Sequence, residues 1–542
     1  MTNRNKYERT SFMPPANSGH TRIFKLSLLL FGVLSFIVVR PAETVAEQPN
    51  ILFIYTDDQS HRTVSCYDEA YSWVKTPNID SLAKRGARFT HAYIGSWCAA
   101  SRLSVLTGRQ QHAIESFRAT GEYPGNVYDP EQCQFFPKLL RQRGYYTAQI
   151  GKWHTGDDSG FGRDWDHQIV WNRIKFPKNS PNYYDDQLIV RDGGDPVLTK
   201  GYSTDNYTNW AIDFINGRTR DQQKPWMLWL CYGAVHGPFT PADRHENAYP
   251  NADIPEPSDI YGPRPGKPKY VQDVGFWEKN EAGIPVEKKV RDLPPVAMVD
   301  IPGKPLKDWV RQYQQGVLAI DEGVGRLIKA LEATGQLDNT VIVFTSDQGF
   351  AWGQHGFKNK VAPYDAAIRG PLIVVKPGSQ PTVIRTPVTG VDLTSTIMAQ
   401  AEANPQWKMH GRDLTPLING SKKLPGDQGR MLLTHTARNY GKNTAVIPKP
   451  GDKALTHGPG VPWYAILCEG KYKYVRTLIE GEVEELYDVH NDPEELDNLA
   501  LNPAFQKILA TFRANTKAEL RRTEAPFLDN LPPVKNAAKS GD

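Results

Sequence analysis

Several features that define other classes of protein are scarce or missing in this chain. Only five of its 542 residues are cysteines, too few for a scaffold that depends on disulfides. The formal net charge is only +4, and no run of Lys and Arg is interleaved with aromatic residues. This excludes the basic footprint of a nucleic-acid-binding protein. We find no internal repeat of fixed period, which excludes a solenoid or a propeller.

Long apolar runs are equally scarce, and the one that stands out lies near the N-terminus. It extends from Leu26 to Val39, shortly after two basic residues, and small residues at 44–46 offer a cleavage site. We therefore predict a signal peptide at 1–46 and an exported protein, periplasmic or secreted. An uncleaved N-terminal anchor is the alternative, although the run is short for a membrane span. No second such run follows, which predicts a body without stable membrane insertion after cleavage.

Four shorter apolar runs have the length of β-strands, and each is followed directly by polar residues. They span residues 50–55, 146–150, 226–232 and 340–345. Continuous apolar runs of this length are typical of strands that are buried on both faces of a sheet. Helical patterns lie between them, at 79–85, 134–144 and 309–334. This alternation predicts an α/β fold, a large and mostly parallel sheet sandwiched by helices.

The polar residues after these strands are predicted to meet at one edge of the sheet. In open α/β sheets, ligands bind outside the carboxyl ends of the strands. We therefore expect one crevice to gather the side chains of Asp57, Asp58, Lys152, His154, His236 and Asp347.

The spacing of the candidate residues sets the predicted domains. Because they extend from Asp57 to Lys360, the segment 47–430 is predicted to be one catalytic domain. Short strands and a closing helix then predict a smaller C-terminal α+β subdomain at 431–525. The Pro-containing tail at 526–542 is predicted to be irregular.

Two long polar segments interrupt the catalytic domain, at 156–202 and 238–305. Loops of this length in a compact domain are usually functional or lack a fixed structure. We interpret them as walls that face the substrate, with plain surface insertions as the alternative.

Asp57-Asp58 and Asp347-Gln348 offer oxygen ligands at two different strand ends. Such donors suit Ca²⁺ or Mg²⁺ better than zinc. Three carboxylates crowded together would repel one another and raise their pKa values, which a bound divalent cation prevents. A lone Asp-Asp pair is otherwise typical of a turn or a helix cap.

The most specific motif is Cys98-Ala99-Ala100-Ser101-Arg102, which continues to Leu106-Thr107-Gly108-Arg109. Locally it predicts a helix capped by Ser96 and ended at Gly108, with Cys98 in the first turn, where backbone N–H groups favour an anion. The pattern resembles the signature of the type I sulfatases, in the alkaline phosphatase-like superfamily. The resemblance implies that a maturase oxidises Cys98 to formylglycine, an aldehyde whose hydrate attacks sulfur. Ala100 stands where Pro or Ala occurs in the signature.

Other motifs carry the same resemblance, among them Gly151-Lys152-Trp153-His154, His236-Gly237-Pro238-Phe239 and Asn359-Lys360. They imply that Lys152 helps to hold the hydrated aldehyde and the sulfate, and that Lys360 is a second lysine that binds sulfate. Arg102 follows Cys98 by one helical turn, and its guanidinium suits a sulfate oxygen or the formylglycine hydroxyl. His154 is implied to be the base that removes a proton from the second hydroxyl. His236 is implied to contact sulfate or to protonate the leaving oxygen. For nearby His355, a surface or substrate-loop role fits as well as a catalytic one.

The resemblance also implies a single Ca²⁺ ion as cofactor. Its ligands would be Asp57, Asp58, Cys98 in its modified form, Asp347 and Gln348. Closing patterns such as Glu485-Leu486-Tyr487-Asp488 extend the resemblance over residues 48–500. If Cys98 is modified, four cysteines remain, and the sequence assigns no pairing to Cys66, Cys133, Cys231 and Cys468.

These observations predict a calcium-dependent sulfatase that hydrolyses sulfate esters on a sulfated carbohydrate or polysaccharide. The sugar, the sulfate position and the oligomeric state stay open. One alternative is a formylglycine-dependent phosphodiesterase or phosphonate monoester hydrolase, because sulfate and phosphate esters have similar geometry. Another is a non-catalytic protein that binds sulfated glycans.

Overall fold

The computed structural model describes residues 48–115, 117–118, 127–128, 134–289, 300–425, 429–458 and 460–534. The predicted signal peptide, Cys133 and the end of the predicted tail lie outside these residues. The four other cysteines are all free thiols.

A large sheet of eleven strands organises the described residues. The strands are Asn50–Thr56 (β1), Ala87–Tyr93 (β2), Tyr146–Lys152 (β3), His167–Trp171 (β4), Gln187–Arg191 (β5), Val197–Thr199 (β6), Trp226–Cys231 (β7), Thr340–Ser346 (β8), Gly370–Val375 (β9), Thr382–Ile384 (β10) and Val388–Thr389 (β11). Their order is β10-β2-β9-β8-β1-β7-β3-β4-β5-β6, and β11 pairs with β2. The five central strands, from β8 to β4, are mutually parallel, which confirms the predicted fold class.

The central strand β1 shows why a continuous apolar run folds this way. Successive side chains of a strand point to opposite faces. Ile51, Phe53 and Tyr55 accordingly join the hydrophobic core on one face of the sheet. Leu52 and Ile54 join the core on the other face. Both faces of β1 are therefore shielded from water, and the polar residues of this region lie at the strand ends.

Helices cover the sheet, and the predicted ones are present with boundaries within a few residues. They are Pro77–Ala83 (α1), Cys98–Thr107 (α2), Phe136–Gln142 (α3), Ser203–Ile215 (α4), Lys269–Gln272 (α5), Leu306–Ala333 (α6), Asp365–Ile368 (α7), Gly390–Gln400 (α8), Thr415–Ile418 (α9) and Gln506–Arg522 (α10). Two-stranded antiparallel sheets pair Phe117–Arg118 with Val127–Tyr128, Trp277–Lys279 with Pro285–Glu287, Ala351–Trp352 with Lys358–Asn359, and Thr456–His457 with Val461–Pro462.

A second, antiparallel sheet follows near the C-terminus. Its strands, in spatial order, are Arg430–His435 (β12), Tyr464–Glu469 (β13), Tyr472–Thr477 (β14) and Glu485–Asp488 (β15). The predicted C-terminal strands and closing helix are thus present. The described residues from Gln48 onward lie in one compact unit, and the proposed boundary at 430 stays a prediction.

The interpretation of 156–202 as a loop is wrong in part. Three strands, β4, β5 and β6, extend the large sheet on the side of β3. They are short, β4 and β5 include polar residues, and β6 at the sheet edge is largely exposed. Their sequences therefore give a weaker apolar signal than the longer strands. The second long segment contains the short helix α5 and a hairpin.

The described part of the chain contains no helix that is both long enough and apolar enough to cross a membrane.

Because the fold contains buried neutral histidines, we expect acid to lower its stability. His112 is fully buried, with its Nδ1 2.7 Å from the hydroxyl of Thr434 and its Nε2 3.0 Å from the carbonyl of Thr523. Burial lowers its pKa from 6.5 to about 4. The unfolded chain therefore binds more protons than the folded one in this range, so stability is full above the unfolded pKa and is lost as the pH falls.

We expect the contribution of His112 to lower the free energy of unfolding by about 2 kcal/mol between about pH 7 and pH 5. Denaturant titrations at the two pH values measure the difference. The variant His112→Gln, which keeps polar atoms but does not titrate, should show a shallower pH dependence. An equal pH dependence in the variant would show that groups other than His112 cause the acid sensitivity.

Candidate active site

Cys98 opens helix α2 beside the carboxyl ends of the central strands. It is 2% exposed, and the helix ends at Gly108, whose positive φ of 66° favours glycine. The predicted cap by Ser96 is wrong. Trp97 precedes the helix, and the Ser96 hydroxyl lies 2.9 Å from Nδ1 of His435 in the C-terminal sheet.

Three carboxylates lie close to Cys98, at the edge of the sheet where the residues that follow parallel strands are expected to meet. Asp57 and Asp347 follow the neighbouring parallel strands β1 and β8, in which Thr56 pairs with Ser346. The ligand atoms of Asp57, Asp58, Asp347 and Cys98 all lie within 4.8 Å of one another.

Asp58 has a left-handed backbone with a φ of 56°, and its N–H donates to Asp347 Oδ1 at 2.9 Å. Burial raises the pKa of Asp58 to about 6, against the opposing effect of Lys360. Oxygen donors grouped in this way fit a hard divalent cation such as Ca²⁺.

Gln348 completes this group. Its amide nitrogen donates to Asp58 Oδ1 and lies 3.6 Å from the sulfur of Cys98. Its amide oxygen lies 3.4 Å from the hydroxyl of Ser101. A side chain with both a donor and an acceptor can present its oxygen to a cation after rotation of the amide.

Three cations face the three carboxylates. Lys152 donates to Asp57 Oδ2, and Arg102 Nη2 lies 3.5 Å from Asp347 Oδ2. Lys360 Nζ lies 2.8 Å from Asp58 Oδ1 and 2.9 Å from the sulfur of Cys98. Lys152 and Arg102 are fully buried. Pairing of this kind offsets part of the cost of burying charged groups, and it places three basic side chains beside the carboxylate cluster.

Gly151 is the reason that Lys152 reaches this position. Its φ is 104°, and a Cβ at this residue would lie 2.1 Å from the carbonyl oxygen of Cys231 on strand β7. Only glycine fits that backbone, so β3 packs closely against β7 and delivers Lys152 to the site. Burial, followed by the nearby charge of Arg173, lowers the pKa of Lys152.

The Cys98 thiol is a poor nucleophile as it stands. Burial raises its pKa to about 12, although Lys360 acts in the opposite direction. Because the thiolate is the reactive form of cysteine, an unmodified thiol here would be almost entirely protonated at neutral pH.

The charges of Lys152 and Lys360 act on both predicted histidines, which therefore lie near this centre. His154 is 7% exposed, its Nδ1 has no hydrogen-bond partner among the described residues, and burial, then Lys152, lowers its pKa. His236 Nε2 lies 3.7 Å from Asp58 Oδ2, and its Nδ1 lies 2.8 Å from the carbonyl of Gly237. Burial and then Lys360 lower the pKa of His236.

Two tyrosines that the sequence did not single out hold His236. The ring of Tyr183 stacks on the imidazole, with 4.0 Å between the ring centroids and 4° between the planes. The hydroxyl of Tyr184 donates to the His236 carbonyl at 2.6 Å. Both belong to the segment 156–202, whose richness in aromatic residues is the signal in the sequence. His355, for which the sequence left the role undecided, packs against Tyr364 and pairs with Asp259.

The C-terminal sheet positions Lys360. Val361 has a φ of 83°, which is unfavourable for a β-branched residue. The hydroxyl of Tyr464, on β13, donates to the Val361 carbonyl at 2.7 Å. Tyr364 also donates to Glu485 on β15, at 2.7 Å. Contacts of this kind maintain a strained backbone next to a functional group.

We expect Tyr464→Phe to lower kcat/KM for a sulfate ester by about tenfold, because a lost hydrogen bond to a strained segment costs on the order of 1 kcal/mol or more. Initial rates measure the effect. Tyr474→Phe is the matched control, since Tyr474 lies in the same sheet and donates to Glu484 instead. Equal losses in both variants would contradict a specific role for Tyr464.

Known proteins resemble this chain in sequence and in fold. A sequence model of the sulfatase family matches residues 49–403. The N-acetylglucosamine-6-O-sulfatase of Bacteroides thetaiotaomicron is 28% identical over 541 residues, covering 91% of this chain and 89% of the relative. The solved structure of BT4656 with its substrate D-glucosamine-2-N,6-O-disulfate is 26% identical, with a TM-score of 0.72, and covers 91% of this chain and 100% of its own.

The chain therefore belongs to the sulfatase family, and its enzyme class is that of the sulfuric ester hydrolases. The phosphonate monoester hydrolase of Agrobacterium radiobacter shares the fold, with 19% identity, a TM-score of 0.63 and coverage of 88% of this chain and 96% of its own.

Proposed function

We propose that this sulfatase removes 6-O-sulfate groups from glucosamine residues of a sulfated carbohydrate. The observation that carries the proposal is the similarity over 91% of the chain to a relative named N-acetylglucosamine-6-O-sulfatase. A neighbouring structure that contains a 6-O-sulfated glucosamine as its substrate supports it.

In this proposal Cys98 is converted to formylglycine by a maturase and supplies the nucleophile. The high pKa of the thiol supports a role other than that of a thiolate. Asp57, Asp58 and Asp347, with Gln348, hold one Ca²⁺ ion. When bound, the ion neutralises the carboxylates and stabilises negative charge on the reacting oxygens.

The cationic side chains bind the sulfate group in the proposed reaction. Lys360 lies beside both Asp58 and Cys98, so its ammonium can donate to a sulfate oxygen next to the nucleophile. Arg102 and Lys152 lie on the Asp57 and Asp347 side. Donors fixed in a dry site before the substrate arrives stabilise the charge of the transition state, usually the largest single catalytic contribution.

The histidines move protons in this scheme. The lowered pKa keeps His154 neutral and therefore able to accept a proton from a hydroxyl at position 98. His236, held by Tyr183, faces Asp58 through Nε2, and we assign it contact with the sulfate or protonation of the leaving oxygen. The negative charge of a bound sulfate group would raise its pKa and favour the acid role.

We also propose that the chain is exported after removal of residues 1–46. The basic residues and apolar run of the N-terminal sequence support this, as does a relative from Caenorhabditis elegans named as a putative extracellular sulfatase homolog.

Sulfate release measured by ion chromatography tests the proposal. We expect the maturase-treated enzyme to release sulfate from N-acetylglucosamine 6-sulfate at least tenfold faster than from a 3-sulfated isomer, because a misplaced ester misses the donors of the site. Faster hydrolysis of a phosphonate monoester would favour the alternative that the shared fold allows. No hydrolysis of any sulfated sugar would favour a binding protein.

A further inference from the structure

A basic crevice lies near the C-terminus, lined by residues that the catalytic proposal does not use. Its volume is about 580 Å³, within the range of small-ligand sites. Its cationic lining comes from strand β14 and helix α10, and consists of Arg476, Arg513, Lys517 and Arg521. The rest of the wall comes from the segment 528–534, with Asp529 as its acidic member.

The helix presents its three cations as one stripe. Arg513, Lys517 and Arg521 are spaced four residues apart, which places them on the same face of α10. Arg513 is paired with Glu484 at 2.9 Å. Lys517 and Arg521 are exposed, and neither forms an ion pair with another described residue. Their charges are therefore available to a ligand.

Arg476 supplies the independent sign that the crevice takes an anion. It is 5% exposed, and its Nε is buried without a hydrogen-bond partner among the described residues. One of its terminal nitrogens donates to the carbonyl of Pro532 at 2.6 Å. A buried guanidinium with an unused donor is costly unless an acceptor reaches it.

Packing within the fold fixes one wall of the crevice. Phe527 and Ala525 are buried in a hydrophobic cluster with Trp463 and Leu520, and this packing fixes the segment that continues into the wall. The hydrogen bond from Arg476 to Pro532 joins the wall to β14. Pre-organisation of this kind lowers the entropic cost of binding.

We propose that this crevice binds a sulfate group of a sulfated polysaccharide chain, as a second anion site apart from the catalytic centre. A guanidinium fork and neighbouring cations match the oxygens of a sulfate. Four cations outnumber the two carboxylates of Asp529 and Glu484. The choice of a sulfated chain rests on the proposed function, since such a substrate carries further sulfate groups beyond the one that is cleaved.

Binding of a heparin hexasaccharide to the Cys98→Ala protein, followed by isothermal titration calorimetry, tests this without requiring catalysis. Lys517→Glu with Arg521→Glu should weaken binding about tenfold, because two exposed charges that attract sulfate groups become charges that repel them. Both residues are exposed, so the fold should persist. The matched control is Lys329→Glu with Lys507→Glu, which makes the same charge change at exposed positions of α6 and α10 outside the crevice.

Unchanged affinity in the crevice variant, or an equal loss in the control, would overturn the proposal. A desulfated hexasaccharide should bind equally to all variants. In the catalytically competent protein, the crevice variant should raise KM for a sulfated polymer and leave kcat/KM for N-acetylglucosamine 6-sulfate unchanged. If that sugar is not a substrate, the calorimetric result still decides whether the crevice binds sulfated chains.

Discussion

Replacing Cys98 by serine is expected to abolish sulfate release, with kcat lower by roughly 10⁴-fold or more. Serine is nearly isosteric at this buried position, so the fold should be unaffected. The serine hydroxyl would stand beside Lys360 and the carboxylates, as the cysteine sulfur does. It has a single hydroxyl, however, so His154 would find no second hydroxyl proton to remove, and turnover would stop.

Sulfate release from N-acetylglucosamine 6-sulfate measures the effect. Cys468→Ser is the matched control, because Cys468 is also a buried free thiol but lies in the C-terminal sheet. It should retain activity. The mass of the tryptic peptide 89–102 gives a parallel measurement, in which an aldehyde at position 98 is expected in protein from the native host. Unimpaired release by Cys98→Ser, or an unmodified thiol in that peptide, would contradict the proposed nucleophile.

The central part of the fold was predictable because its strands are buried on both faces. After Asn50, the run 50–55 consists only of apolar and aromatic residues, so neither face of the strand is polar, and the strand that it predicts is β1. The strands β4 to β6 were missed because they are short and include polar residues, and the last of them, β6, is an exposed edge strand. The register of β1 and β8 follows from neighbouring strands running parallel, and this brings Asp57 and Asp347 together.

The supports of the site were not predictable in the same way. Tyr183 and Tyr464 lie 53 and 104 positions from the residues that they hold, His236 and Lys360, and no local pattern marks such contacts. Lys360 follows a two-residue hairpin strand rather than a strand of the large sheet. Its place beside Cys98 was therefore implied by family resemblance and not by the topology of the sheet.

Replacing Asp58 by asparagine is expected to lower kcat by about 10²-fold or more and to shift calcium-dependent stabilisation to much higher Ca²⁺. Asp58 receives contacts from Lys360, Gln348 and His236, so its charge organises both the cation site and the sulfate-binding groups. Loss of one electrostatic group at a catalytic centre commonly has an effect of this size. Asparagine tolerates a left-handed backbone, so the φ of 56° should persist. The loss of activity should therefore come from removal of the carboxylate charge and not from a change in the backbone.

Thermal unfolding with increasing Ca²⁺ provides a readout that is independent of turnover. A ligand that binds only the folded protein raises stability by RT ln(1 + [L]/Kd), about 3 kcal/mol at one hundred times Kd. The unsubstituted protein should show this rise, and Asp58→Asn should show it only at much higher Ca²⁺. Asp186→Asn is the control, because Asp186 also has a positive φ, of 53°, but pairs with Lys200 at the surface. An identical calcium response in the Asp58 variant would exclude Asp58 as a ligand, since removing a carboxylate from the ion must weaken its binding.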